Sequence, residues 1–561
     1  MDQTATCTIA QIQGHGLHSP LAGQTVVTRG VVTGVSRKGF FLQDPDTRDT
    51  QASSGLFIFS REKLAPGEEY EVRGEVVDYL ARDGDKPTTQ LKFREAHRLG
   101  TYDRSIAPVV LDTELLALPH EALAARLNAL EGMLVTIPRG ATFVAPSNPF
   151  GDYVVAPPEL PGLRSPEGGL LVDAAHPERW LPCFRVLEYE AAPRLDIGAA
   201  LLSDVTGPLN YRSGAYQIVA TTGLRTAAAR AYRPGATNLR GDGQSMTVMT
   251  LNSFNLDPHI ESSVRVSDPG LDIDDDVGDG QFAGLARAIV RAGGTPDVVA
   301  CQEIQDNDGA EQTDVVAADK TFGLLVAAVK ALSGIEYRFI DAPPQRGEDG
   351  GQPGGNIRNG YLYRPDRVEW VDGQVERMGT QAPAYEGSRK PTVARFRLRG
   401  DGGGRELTVI NVHLASKRHQ HSMFAADLPG FDPREAQRVA QCELIAQRLV
   451  ALAAAGADYY VTGDFNDFEF SPSLRALCAD HSVNLVERLA EQERYDYNHR
   501  GQLQVLMHGV VSRRQQEQGR CAYEILHGNE LRGVRPGRMG SKASDHAYVI
   551  ARLTLGDRST P

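Results

Sequence analysis

The feature that most constrains this chain is a unit that recurs in its C-terminal half. An apolar run ends each time in a carboxylate, an amide or an imidazole. Asp297-Val298-Val299-Ala300-Cys301-Gln302-Glu303 is one such run. Leu407-Thr408-Val409-Ile410-Asn411-Val412-His413 and Tyr459-Tyr460-Val461-Thr462-Gly463-Asp464 are others. Short apolar runs rich in β-branched residues read as buried strands. Phe282, Leu285, Ala286, Ile289 and Val290 fall between them at helical spacing, and a long helix is expected over about 434–455. Strand and helix alternate from Thr247 onward, so residues 246–561 read as one α/β domain. This periodicity does not separate a doubly wound parallel sheet from other α/β layerings.

The front of the chain has a different texture. Residues 1–105 hold short runs such as Val26-Val27-Thr28-Arg29-Gly30-Val31-Val32-Thr33 and Gly39-Phe40-Phe41-Leu42-Gln43-Asp44, with glycines at bend positions. A small closed, OB-like β-barrel is expected. Residues 106–225 open with a helix near 114–130 and continue into strands around Gly132–Ile137 and Gly214–Val219, which predicts a second β-rich, OB-like module. Residues 226–245, with Arg230, Pro234 and Gly235, read as a linker. The 57 Gly and 32 Pro of the 561-residue chain fit this turn-rich front.

Charge and composition narrow the function. The net charge of −13 excludes nucleic-acid binding through the overall field, so such binding needs a local basic surface or metal ions. No apolar run is long enough to span a membrane. Met1-Asp2-Gln3-Thr4 has no basic start and no apolar stretch behind it, so no export signal is expected here. Cys7, Cys183, Cys301, Cys442, Cys478 and Cys521 show no metal spacing, and unpaired thiols are expected.

Singly, the polar strand ends read as turn formers, caps or satisfied core groups. A lone His413 reads most simply as a core histidine. Together, Glu303, His413, the Asp464/Asn466 pair and Asp545-His546 supply hard oxygen ligands, two histidines and a pair able to hold a water. That is the inventory of a phosphoester hydrolase.

The order of these motifs resembles the endonuclease/exonuclease/phosphatase superfamily, the fold of pancreatic-type deoxyribonuclease. Leu251-Asn252, Gln302-Glu303, Asn411-Val412-His413, Gly463-Asp464-Phe465-Asn466-Asp467 and Ser544-Asp545-His546 carry the resemblance. Gly354–Tyr363 and Gly387-Ser388-Arg389-Lys390-Pro391 look like the same family. Ala10–Gly14, Ser19–Gln24 and Gly39–Asp44 resemble bacterial extracellular nucleases with an OB-like front. The resemblance implies an α/β four-layered sandwich, α/β/β/α with mixed sheets. It implies Glu303 as the main metal ligand, with Asn252 and Asp545 close by. Asp464 would orient or deprotonate the attacking water, and Asn466 would hold that water or a phosphate oxygen. His546 would contact the scissile phosphate, and His413 would serve the reacting oxygens. Arg358 and Asn359 are the implied phosphate contacts. The cofactor would be Mg²⁺ or Mn²⁺, the substrate DNA, with RNA left open, and the protein a monomer that is extracellular or periplasmic.

One departure stands out. The family's strand before the last motif usually carries an Asp that buttresses the final histidine, and here Met507 takes that position. A thioether cannot do this work. Either His508 or a carboxylate outside the alignment substitutes, or the enzyme works without the buttress. The acidic stretch Asp268–Asp279 fails the EF-hand template and reads as a solvated loop, with a structural Ca²⁺ as the alternative. Between 494 and 542, Arg494, Arg500, Arg513, Arg514, Arg520, Arg532, Arg535, Arg538 and Lys542 outnumber Asp496, Glu517, Glu524 and Glu530. This segment is either a phosphate-backbone track or a solvated surface. The expected activity is divalent-metal-dependent hydrolysis of DNA phosphodiesters with little sequence specificity. The rivals are a phosphoesterase of the same fold acting on a phospholipid headgroup or small phosphorylated molecule, and a catalytically weakened nucleic-acid-binding protein.

Overall fold

Period-two alternation gives each C-terminal strand two faces with different partners. A computed structural model describes residues 5–555 except 48, 188–191, 229–231, 233–234, 401–405, 426–430, 480 and 537–541. Arg230, Pro234 and Arg538, and the residues Met1–Thr4, thus lie outside the described residues.

Six strands of the C-terminal part pair in the order Arg338–Ile340, Arg358–Tyr363, Val298–Ile304, Ser245–Leu256, Tyr548–Thr554, Cys521–Leu526. A second sheet runs Val368–Trp370, Thr392–Leu398, Glu406–His413, Asp458–Asp464, Met507–Ser512, Ser482–Asn484, with Glu376–Arg377 beside Thr392–Leu398. Each sheet has one parallel pair at its centre among antiparallel neighbours: Ser245–Leu256 with Val298–Ile304, and Glu406–His413 with Asp458–Asp464. The doubly wound parallel alternative is therefore out.

One apolar core joins the sheets face to face. Val248, Val298, Ala300 and Tyr361 of the first meet Phe396, Val409, Tyr460 and Met507 of the second. The opposite parity faces outward. Leu251, Val299 and Cys301 pack on Phe282, Leu285, Phe322 and Leu325 of helices Gln281–Arg287 and Asp319–Ser333. Ile410, Val412 and Val461 pack on Cys442, Ile445 and Leu449 of helix Glu435–Ala454. Polar residues of inward parity cross-link the sheets: Gln302 donates to Asn411 Oδ1 at 2.6 Å, and Asn411 donates to the carbonyls of Cys301 and Gly360. The family-like Gln302 and Asn411 are thus spent on holding two sheets in register.

At the front, Thr25–Ser36, Gly39–Gln43, Gly55–Phe59, Thr88–Thr101 and Glu68–Tyr79 pair in that order. Thr25–Ser36 pairs again with Glu68–Tyr79, so the sheet closes on itself around Val26, Phe40, Leu56, Val72 and Leu91. A second β-rich sheet spans Val109–Val110 to Ala215–Ala220. The helix expected near 114–130 is two pieces, Thr113–Leu116 and His120–Asn128. Pro119 caps the second piece, and its missing N–H cannot continue the first.

The second sheet's region does not stop at the expected linker. Leu170–Leu171 pairs in parallel with Gln502–Gln504, which pairs in turn with Tyr497–His499. This small sheet spans the two halves of the chain. The described part of 226–245 is anchored as well: Thr237 N donates to Ala292 O at 2.8 Å and its hydroxyl donates to Glu524 at 2.6 Å. All six cysteines are unpaired. Among the described residues no helix is long and apolar enough to cross a membrane.

Candidate active site

Strand parity explains how separate strands deliver side chains to one place. Val248, Thr250 and Asn252 share a face, as do Leu407, Val409, Asn411 and His413, and Tyr460, Thr462 and Asp464. The inward rows therefore end in Asn252, His413 and Asp464. By the same count Glu303 belongs outside, with Val299 and Cys301. Its backbone breaks the count. Glu303 has φ 56°, and the register slips between Cys301 and Ile304 on one side and between Asn252 and Leu256 on the other. The irregularity brings the carboxylate inward, where Oε1 accepts from Asn252 Nδ2 at 3.0 Å. Phe254, Asn255 and Asn466 also have φ between 52° and 56°. A non-glycine residue held this way stores about 1–3 kcal/mol, and such strain gathers at functional sites. Gly463, just before Asp464, has φ 138°, and a Cβ there would lie 1.9 Å from Val412 O. Only glycine fits that close crossing of strands.

The resulting cluster is tight. His413 Nε2 lies 3.7 Å from both Glu303 Oε1 and Asp464 Oδ2. His546 Nε2 lies 3.7 Å from Asp464 Oδ2 and 3.9 Å from Asp545 Oδ1. Asn466 N donates to Asp464 Oδ1 at 2.8 Å, while its side chain donates to Leu414 O at 3.1 Å. Asn252, Glu303, His413, Asp464, Asn466, Asp545 and His546 are therefore brought together.

The histidine buttress exists, and Met507 is not its site. Met507 points into the core between the sheets. His546 Nδ1 instead meets Asp496 Oδ1 at 2.9 Å, and Asp496 Oδ2 accepts the N–H groups of Leu506 and Met507 at 2.7 and 2.9 Å. Tyr497 stacks on the His546 ring with centroids 4.7 Å apart. His508 is no substitute, since its ring is taken by Asn484 and the Asp467 carbonyl. Sequence reading missed Asp496 and Tyr497 because the acid comes from the loop before the strand. An Asp-Tyr-Asn run leading into Gln502–Gln504 was the available signal.

The two residues expected to contact phosphate are both engaged by the fold. Arg358 is 1% exposed, paired with Asp341 at 3.2 Å and donating to the carbonyls of Asn356 and Val316. Its guanidinium is spent on the fold and does not join the cluster. Asn359 donates at 3.3 Å to the carbonyls of Lys390 and Asn411, tying neighbouring strands. Arg389, buried and donating to Leu414 O at 2.6 Å, is a second cation, beside His546, whose charge couples to Glu303 and Asp464. The basic segment 494–542 is largely consumed too: Arg494, Arg500 and Lys542 donate to backbone carbonyls, and Arg520 pairs with Asp458.

The electrostatics separate the roles. Burial, with Asp545 next, pushes the Glu303 carboxyl up to about 7. Burial also raises Asp464. Burial, Arg389 and His546 hold His413 well below the usual imidazole range, so it is neutral. For His546 burial works against the charged form, but Asp545, the Asp496 hydrogen bond and Asp464 outweigh it and lift the imidazole to about 10. The ligand atoms of Glu303, His413 and Asp464 all lie within 4.8 Å of one another, a desolvated oxygen-rich set that fits a hard divalent ion.

No curated protein matches the chain. Residues 117–229 match a domain of unknown function, DUF8508. Among solved structures, an endonuclease/exonuclease/phosphatase family protein from Bacteroides thetaiotaomicron is 15% identical, with a TM-score of 0.34 over 58% of this chain and 100% of that one. The human Nocturnin catalytic domain with bound sulfate is 13% identical, with a TM-score of 0.37 over 56% and 95%. D. rerio TDP2 complexed with a single strand DNA product is 16% identical, with a TM-score of 0.34 over 55% and 98%. The remaining match begins just after Asn252 and stops short of the last motif: residues 254–523 match the Endonuclease/Exonuclease/phosphatase family.

Proposed function

We propose that the protein is a divalent-metal-dependent nuclease that hydrolyses DNA phosphodiester bonds with little sequence specificity. The observation that carries this reading is the convergence of Glu303, Asp464, His413 and His546 where two facing sheets end. In this reading the layering is α/β/β/α, and the closed barrel at the front is OB-like. Glu303, with Asn252 and Asp545, would hold Mg²⁺ or Mn²⁺, whose charge would offset that gathering on the phosphoryl oxygens. Asp464 orients a water and takes its proton, helped by the burial that raises its basicity. Asn466 fixes Asp464 through its backbone N–H. His546, kept cationic by Asp496 and Asp545, donates to the scissile phosphate. Neutral His413 offers its Nε2 to the reacting oxygens.

The experiment compares a circular plasmid, a linear duplex and small phosphomonoesters, each with Mg²⁺, Mn²⁺ or EDTA. Metal-dependent loss of intact DNA supports the reading. Turnover of the monoesters with intact DNA would replace it by the small-molecule phosphoesterase.

A further inference from the structure

A second group of carboxylates gathers beyond the catalytic end of the Ser245–Leu256 strand. Ligand oxygens of Asp257, Glu261 and Asp274 all lie within 4.8 Å of one another. Asp276 joins them by accepting the Asp257 N–H at 3.0 Å. Asp257 is 2% exposed and Glu261 5%. Among the described residues no Lys, Arg or His pairs with any of the four, and the neighbouring His259 and Arg265 both pair with Glu311 instead.

Two observations besides acidity point to a ligand. Asp257 gives Oδ1 to the His259 N–H, but its Oδ2 accepts from nothing among the described residues. Asp274 Oδ1 is sealed from solvent and also lacks a donor. Gly309 has φ 62°, and a Cβ there would lie 2.3 Å from Glu261 Oε1 and 2.7 Å from Asp257 Oδ2. Both oxygens therefore lie side by side against the Gly309 backbone, which only a residue without a side chain allows. Buried carboxylates without a counter-charge destabilise a fold unless a cation or a proton joins them.

We propose that Asp257, Glu261 and Asp274 form a second, structural divalent-cation site of the Ca²⁺ type. The donors are all carboxylate oxygens from a loop, the ligand type Ca²⁺ takes at about 2.3–2.6 Å in flexible geometry, whereas Mg²⁺ demands a near-ideal octahedron at about 2.0–2.1 Å. The ion staples the loop after Asn252 to the loop after Glu303, since Glu261 Oε1 also accepts the Ala310 N–H at 3.3 Å and Leu256 pairs with Ile304. The EF-hand template fails on Asp268–Asp279 because that stretch supplies only Asp274, with Asp276 beside it, and the other ligands precede it.

The test uses the full chain in a Glu303→Gln background, which removes the catalytic carboxylate's share of metal binding. Thermal melts are followed with EDTA, Ca²⁺ or Mg²⁺, with calorimetric titration of Ca²⁺. The expected result is one Ca²⁺ per chain and a saturable rise of several degrees, larger than with Mg²⁺. Asp257→Asn should abolish that rise yet melt in EDTA at or above its parent, because a buried like charge is gone. Asp274→Asn makes the same comparison should Asp257→Asn fail to fold. No Ca²⁺-dependent rise in the Glu303→Gln parent, or an undiminished rise in the folded variants, overturns the site.

Discussion

Asp496→Asn removes one charge from the pair that sets the state of His546. In the parent, Asp496 accepts three hydrogen bonds, two from backbone N–H groups and one from His546 Nδ1. The asparagine oxygen still satisfies Leu506 and Met507. Its NH₂ then faces Nδ1, so that nitrogen must become an acceptor and the imidazolium loses its partner. A hydrogen bond to a charged group contributes about 1.5–3 kcal/mol, and each 1.4 kcal/mol is about tenfold in rate, so a loss of about 10- to 150-fold is expected. The sign of the pH effect is fixed as well. His546 is raised to about 10, so its charge contributes stability fully below the unfolded value near 6.5 and loses it as pH rises through 10. The variant lowers the folded value, so the alkaline limbs of both rate and stability move toward neutral pH. The assay is single-turnover cleavage of a labelled duplex from pH 6 to 10 beside thermal melts. A folded variant with the parent's rate and alkaline limb would refute the buttress.

Met507→Asp should lower stability by about 3–5 kcal/mol in denaturant titration without raising activity, because it adds an unpaired acid to the core between the sheets, behind an imidazole that already has its carboxylate. Without metal, a Glu303 carboxyl raised to about 7 makes the fold bind more protons than the unfolded chain, so stability falls as pH rises from about 4.5 to 7. Glu303→Gln in EDTA should flatten that slope in melts at several pH values. Fragment 246–561 should lose most of its activity even if it folds: the stretch carrying Asp496 and Tyr497 is held by Tyr495 to Glu167, Asn498 to Val144 O, Arg500 to Ser213 O and Gln502 to Arg179 O. Oligonucleotide cleavage by the fragment at the parent's rate would show that this support is dispensable.

Much of the site was legible because period-two runs announce their inward ends. Asn252, His413 and Asp464 follow from parity once two strand faces are distinguished. Glu303 does not, since only a left-handed residue at a register slip turns it inward, and no local pattern writes that slip. Asp496 was hidden for another reason. Its carboxylate reaches the place of a strand residue from a loop, and that loop is shaped by pairing with Leu170–Leu171, far away in sequence. Arg358 misled because a cation beside a family-like motif reads as a phosphate contact, whereas Asp341 and two carbonyls already consume it.

The most direct test of the central claim is plasmid nicking in Mg²⁺ by the parent and by Glu303→Gln, with EDTA as control and circular dichroism on both proteins. Glu303 sits 3.0 Å from Asn252 and 3.7 Å from His413, so its charge is the one around which the centre is built. The account predicts nicking by the parent that EDTA stops, and none by a fully folded Glu303→Gln. Equal nicking by both proteins in Mg²⁺ would contradict it.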